Sequence, residues 1–223
     1  LVVDANGNFY GRTYFGGPQA LGTVFKIDRQ TNQLTTLVTL DGTNGAHPTT
    51  DLTIDAAGNL YFATSSTNYD KATVFKIPFD TNILTPIATF DQATSGVPVG
   101  KLAIDTNGNI FGTLSGTGLL DGSVFKVSAG TNEVISLATF NGNNGGLPTG
   151  GLVASPNGYL YGTTFNGGNI DSSDPTGLGT VFRIDPNSHE LTTIVAFNGV
   201  NGKSPWPTLT LDGDGNLYGT TYG

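Results

Sequence analysis

The stretch Thr23-Val-Phe-Lys-Ile27 returns as Thr73-Val-Phe-Lys-Ile77, Ser123-Val-Phe-Lys-Val127 and Thr180-Val-Phe-Arg-Ile184. β-Branched and aromatic residues in so short a run favour a strand. Its return at intervals of 50, 50 and 57 residues marks a repeat architecture. Working outward, each copy is preceded by two further β-rich runs and followed by one, and we denote the four A to D. Run A is Leu1-Val-Val-Asp4, Leu52-Thr-Ile-Asp55, Leu102-Ala-Ile-Asp105 and Leu152-Val-Ala-Ser155. Run B carries Tyr10-Gly11, Tyr61-Phe62, Phe111-Gly112 and Tyr161-Gly162, and the strand quoted first is run C. Run D spans Leu34 to Leu40, Leu84 to Phe90, Val134 to Phe140 and Leu191 to Phe197, and each unit then turns at Pro48, Pro98, Pro148 or Pro205. A fifth start, Leu209 to Gly219, contains runs A and B alone.

Four short strands in about 50 residues is the size of a propeller blade. The expectation is therefore an all-β chain: a β-propeller of four-stranded antiparallel blades, read as one domain over 1–223. Its repeats are 1–51, 52–101, 102–151 and 152–208, with a partial fifth at 209–223. The extra length of the fourth repeat sits in an insertion from Asn169 to Thr176. Between A and B lies Asp-x-Asn-Gly-Asn or a variant of it, in which Asp accepts bonds from its own turn and Gly supplies positive φ, as antiparallel hairpins require.

Composition agrees. The chain has 33 Gly, 37% hydrophobic and 12% charged residues, too neutral for disorder and too rich in Gly for helices. Only Glu133 and Glu190 among its 17 acids are not Asp, a skew toward turns. A net charge of −8 opposes a nucleic-acid or anionic-membrane partner. No apolar run reaches the length of a membrane span, and without Cys there is no disulfide framework. With no Met at all, the chain is expected to be a processed product or a segment of a longer one.

The linked motifs, as in Leu160-Tyr-Gly-Thr-Thr164, Gly179-Thr-Val-Phe182 and Phe140-Asn-Gly-Asn-Asn-Gly145, resemble the GloVer tandem repeat across essentially the whole chain. The resemblance implies a repetitive architecture in a secreted or surface-anchored bacterial protein, and it brings no catalytic residues to carry over. The second unit departs most, with Phe62-Ala63 in place of Gly-Thr and Asp91 to Ser95 in place of the Asn-Gly turn.

Candidate chemistry is sparse. Asp212, Asp214 and Asn216 alternate oxygen ligands as a calcium loop does, but the Gly comes too early and no bidentate acid follows, so a tight β-turn is the better account of them. Calcium is the one cofactor considered. Lys26, Lys76, Lys126 and Arg183 share one place in run C. They would line up as a ring able to receive an anion, or lay their stems along the sheet. Trp206, between Pro205 and Pro207, is either a sugar-stacking residue or a rim-packing one. His47 and His189 stand at non-equivalent places and build no zinc site without Cys. Gly-x-Ser-x-Gly is absent.

These features lead to the expectation of a non-enzymatic extracellular structural or adhesion module. Its surplus fifth hairpin would add strands to a second copy and build a fibre. A glycan-binding propeller, or a fragment of a larger propeller, is the alternative.

Overall fold

The computed structural model describes residues 1–119, 121–170, 174–206 and 208–223. The chain is all-β and divides into two compact units, Leu1–Ala93 and Thr94–Gly223. In the first unit β1 (Val2–Val3), β2 (Phe9–Thr13), β3 (Thr23–Ile27) and β4 (Leu34–Thr39) form an antiparallel sheet in chain order. Two short strands follow, β5 (Ala46–Pro48) and β6 (Thr50–Asp51). The second sheet holds β7 (Thr53–Ile54), β8 (Leu60–Ser65), β9 (Lys71–Ile77) and β10 (Thr85–Asp91), with β5 and β7 both paired to β8. One helical turn, α1 (Gln92–Ser95), stands where the other repeats have their Asn-Gly turn.

The second unit repeats the plan. β11 (Pro98–Ile104), β12 (Ile110–Leu114), β13 (Ser123–Val127) and β14 (Val134–Thr139) are paired in chain order. So are β15 (Val153–Ala154), β16 (Leu160–Thr164), β17 (Thr180–Ile184) and β18 (Leu191–Ala196). A two-stranded sheet of β19 (Thr210–Leu211) and β20 (Leu217–Tyr218) ends the chain. Runs A to D thus become strands of four antiparallel sheets, although A mostly shrinks to two residues. Of the insertion read at 169–176, residues 171–173 lie outside the described residues, as does Pro207. Among the described residues no helix is long and apolar enough to cross a membrane.

The recurring Gly of run B and Phe of run C are one packing device. Gly11, Gly112 and Gly162 lie directly across from Phe25, Phe125 and Phe182. A Cβ on any of these glycines would meet the facing ring at 2.3, 2.5 and 2.5 Å. The ring fills the space a side chain would need at these three glycines. In the second repeat Phe62 replaces the glycine, and its ring stands off from Phe75 at 6.1 Å between centroids. Phe62, Phe75, Leu60, Ile77 and Val24 belong to the core of the first unit. Phe111, Phe182, Leu152, Leu160 and Ile184 belong to that of the second.

The A–B turns are locked by a half-buried hydrogen-bond set. Asp55 accepts from the Ala57 and Asn59 amides at 3.0 and 2.9 Å, from Asn59 Nδ2 at 2.8 Å and from the Tyr61 hydroxyl at 3.0 Å. Asn59 Oδ1 then accepts the Phe79 amide at 2.9 Å, tying the A–B turn to the C–D turn. Asp4, Asn8 and Tyr10 repeat the arrangement. Burial alone would raise the Asp55 carboxyl, but the bonds from Asn59, Tyr61 and Ala57 outweigh it and hold it below the ordinary value of 3.8. Tyr10, by burial and then by its bond to Asp4, is pushed up to about 12.

Because the folded-state pKa of Asp4, Asp55 and Asp212 is depressed, their contribution to stability is complete above the unfolded carboxyl value. It is lost as pH falls through the folded one. Replacing Asp55 by Ala orphans several donors and is expected to cost about 1–3 kcal/mol in urea unfolding at pH 7. The loss should shrink as the melts are repeated toward pH 2, and an equal loss at both pH values would contradict the carboxylate lock.

Candidate functional site

Successive strands run antiparallel, so the A–B and C–D turns close one end of each sheet. The B–C loops and D–A connections close the other. The first end holds a groove of about 380 Å³ in the first unit, lined by Asp4, Asn8, Tyr10, Lys26 and Phe79. Another of about 370 Å³ in the second is lined by Asp105, Asn107, Ser155 and Asn187. Asp4 and Asp105 spend their oxygens on their own turns. That leaves those two carboxylates no oxygen to offer a ligand.

The other end is built around the residue before each recurring proline. His47, Leu147 and Ser204 all take left-handed φ, at 47°, 49° and 50°. A side chain before proline rarely adopts that backbone. Each is held there by donating its amide to a B–C loop carbonyl. His47 bonds Leu21 at 2.7 Å, Leu147 bonds Asp121 at 2.8 Å and Ser204 bonds Leu178 at 2.7 Å. The glycine of Gly-Thr-Val-Phe completes the clamp. A Cβ on Gly22, Gly122 or Gly179 would meet the Cδ of Pro48, Pro148 or Pro205 at 2.7, 2.5 and 2.7 Å. The frame is constant and the residue it displays is not.

At His47 the frame displays an imidazole among aromatic rings. Its ring stacks with Tyr14 at 4.8 Å and 20°, and lies parallel to Tyr69 at 6.1 Å and 5°. Phe15 stands edge-on to it at 5.5 Å and 77°. Phe15 and Tyr69 are 67% and 57% exposed, so apolar ring faces are open to solvent beside the imidazole. Nδ1 lies 3.3 Å from the Tyr14 carbonyl oxygen, which can only accept, so in the neutral ring Nδ1 carries the proton. Nε2 is then left with its lone pair, the form a general base needs.

The residues singled out from sequence are distributed differently. Lys26, Lys76, Lys126 and Arg183 each lie across from an aromatic residue of run B: Tyr10, Tyr61, Phe111 and Tyr161. Lys26 and Lys76 hold their ammonium groups 5.9 and 5.6 Å from the Tyr10 and Tyr61 rings, and Arg183 lies 4.6 Å from that of Tyr159. Asp212 accepts from the amides of Asp214 and Asn216, from Asn216 Nδ2 and from the Tyr218 hydroxyl. Among the described residues no three His, Cys, Asp or Glu side chains gather as a metal site. Trp206 is 60% exposed and perpendicular to Phe165 at 5.3 Å. Sequence reasoning passed over the cluster of His47 with Tyr14, Phe15 and Tyr69, having weighed His47 for zinc alone. The available signal was the variable residue before an otherwise constant proline.

The profile of the Gloeobacter/Verrucomicrobia repeat matches residues 1–120 and 98–223. None of the curated proteins matches the sequence significantly. Among solved structures, a gluconolactonase from Xanthomonas campestris is 16% identical with a TM-score of 0.64, covering 98% of this chain and 67% of its own. A candidate 6-phosphogluconolactonase from Bacteroides uniformis is 19% identical with a TM-score of 0.63, covering 99% and 63%. TolB from Acinetobacter baumannii is 17% identical with a TM-score of 0.61, covering 99% and 49%. The chain thus spans about two thirds or less of the length of these structures.

One expectation is corrected by these likenesses. The chain was read as a non-enzymatic structural or adhesion module assembling into a fibre, yet its fold is shared with a gluconolactonase. The physical reason is that the recurrent residues occupy turns and core. They report on the frame and carry no information on what the loops between them display.

The assigned tautomer can be measured. Long-range ¹H–¹⁵N spectra of neutral protein should show His47 protonated at Nδ1, with His189 in its hairpin as the internal reference. An Nε2–H signal for His47 would overturn the geometry of the free base.

Proposed function

Because the chain belongs to the Gloeobacter/Verrucomicrobia repeat family, we propose that its sheets are blades of a β-propeller and that it hydrolyses a sugar-derived lactone or a related ester at His47. The observation that carries this is the imidazole of His47, with Nδ1 turned to the Tyr14 carbonyl and exposed aromatic rings around it. The likeness to a gluconolactonase supports the choice of substrate class and supplies no residues. An extracellular location belongs to the same proposal, supported by the resemblance of the repeat to those of secreted proteins.

In this reading the apolar face of a sugar ring rests on Phe15, and Tyr69, turned nearly perpendicular to it, borders the same site. Water attacks the lactone carbonyl carbon while His47 Nε2 takes its proton. The tetrahedral intermediate collapses, the ring C–O bond breaks, and the imidazolium returns the proton to the departing alkoxide. The product is the open hydroxy acid, and the base is regenerated. Positioning follows from the clamp: His47 is held at its backbone by Leu21 and at its ring by Tyr14.

Hydrolysis of glucono-δ-lactone, followed by acid release above the spontaneous rate, tests the assignment. His47→Ala is expected to lower kcat/KM by roughly 10²- to 10⁴-fold, the usual contribution of a general base. Phe15→Ala and Tyr69→Ala should raise KM more than they lower kcat. Wild-type activity in a folded His47→Ala variant would sink the proposal.

A further inference from the structure

The frame that presents His47 recurs in the second unit, where it presents Ser204 and, two residues on, Trp206. Ser204 shares the left-handed φ, the amide bond to the B–C loop and the glycine at its proline. Phe165 follows Thr164 as Tyr14 follows Thr13, so the aromatic residue at the end of run B is also present. What is missing is the imidazole. The unit therefore offers an aromatic surface with no base beside it.

Trp206 is held where it is. Pro205 pairs as a β-bridge with Thr221, and Lys203 and Tyr222 bond through their backbones on either side. Phe165 packs perpendicular to the indole, leaving it 60% exposed. An exposed indole gives up burial that a core position would provide, and its broad π face suits a flat ring with C–H groups directed at it. B–C loop geometry at this site is also constrained from within. Asn166, itself buried, donates Nδ2 to the Leu119 carbonyl at 2.9 Å, and Thr164 Oγ1 donates to the Asn166 carbonyl at 2.8 Å.

We infer that Trp206 and Phe165 form a second platform that binds a neutral sugar ring without hydrolysing it. The choice of ligand class rests on the reading of His47 above, since the same frame displays both sites.

Trp206 is the chain's single tryptophan, so emission excited at 295 nm reports on this site alone. Titration with methyl β-D-glucopyranoside and with cellotetraose should give a saturable change in emission. Bound sugar should also reduce quenching of the indole by acrylamide. The tetrasaccharide is expected to bind more tightly, and His47→Ala should leave the titration unchanged. In calorimetry Trp206→Ala should remove one component of the binding heat, with Trp206→Phe retaining part of it. If either variant fails to fold, the wild-type titration and quenching decide the matter. Unchanged emission and quenching up to millimolar sugar, with lactone hydrolysis intact, would overturn the platform and leave the His47 assignment standing. Saturable binding in a protein that hydrolyses no lactone would support the platform and defeat the other reading.

Discussion

The structure depends on the contact between one glycine and one proline. Gly22 against Pro48, Gly122 against Pro148 and Gly179 against Pro205 bring the D–A connection down onto the preceding B–C loop. No side chain fits between them. The residue before the proline is then forced into a left-handed backbone, stabilised by its amide bond to that loop. A conformation that costs of order 1–3 kcal/mol at an isolated residue is sustained because three neighbours over-determine it. Where the second repeat lacks this turn, α1 takes its place and Gly96, with φ of 75°, carries the positive angle without strain.

The same contact explains why repetition and chemistry can be separated. Frame residues recur because each is fixed by another: Gly11 by Phe25, Asp55 by Asn59 and Tyr61, Gly22 by Pro48. The displayed residue is His, Leu or Ser while the frame that holds its backbone stays the same. A chain of this kind can multiply its scaffold while varying the residue it displays.

Much of the fold was legible in the sequence because its strongest signals are two-body contacts. Thr23 to Ile27, Thr180 to Ile184 and the copies between them became strands at or within two residues of the predicted bounds. Run A was legible as a position but not as a length. Its four residues leave only Val2–Val3, Thr53–Ile54 and Val153–Ala154 in strand, because Asp4, Asp55 and Ser155 are drawn into the turn by their own hydrogen bonds. The helical turn at Gln92–Ser95 was signalled only as a departure. The site was illegible for a different reason. Tyr14, Phe15, His47 and Tyr69 come from three separate connections, and nothing in their spacing says that loops so far apart in the chain converge.

That convergence also decides between the two ends of the sheets. The A–B end has more acids, and composition alone would favour it for chemistry. Yet a carboxylate that accepts four bonds from its own turn has no lone pair to spare for a substrate, and moving it would unlock Asn59 or Asn8 and with them the C–D turn. The B–C end has acids as well, Asp70 and Asp121 among them, but there the backbone carbonyl of Tyr14 occupies one nitrogen of His47 and leaves the other free. A base need not be buried or strongly perturbed to act. It must be held in one tautomer at a fixed place, and a strained residue before a clamped proline is a rigid way of doing so.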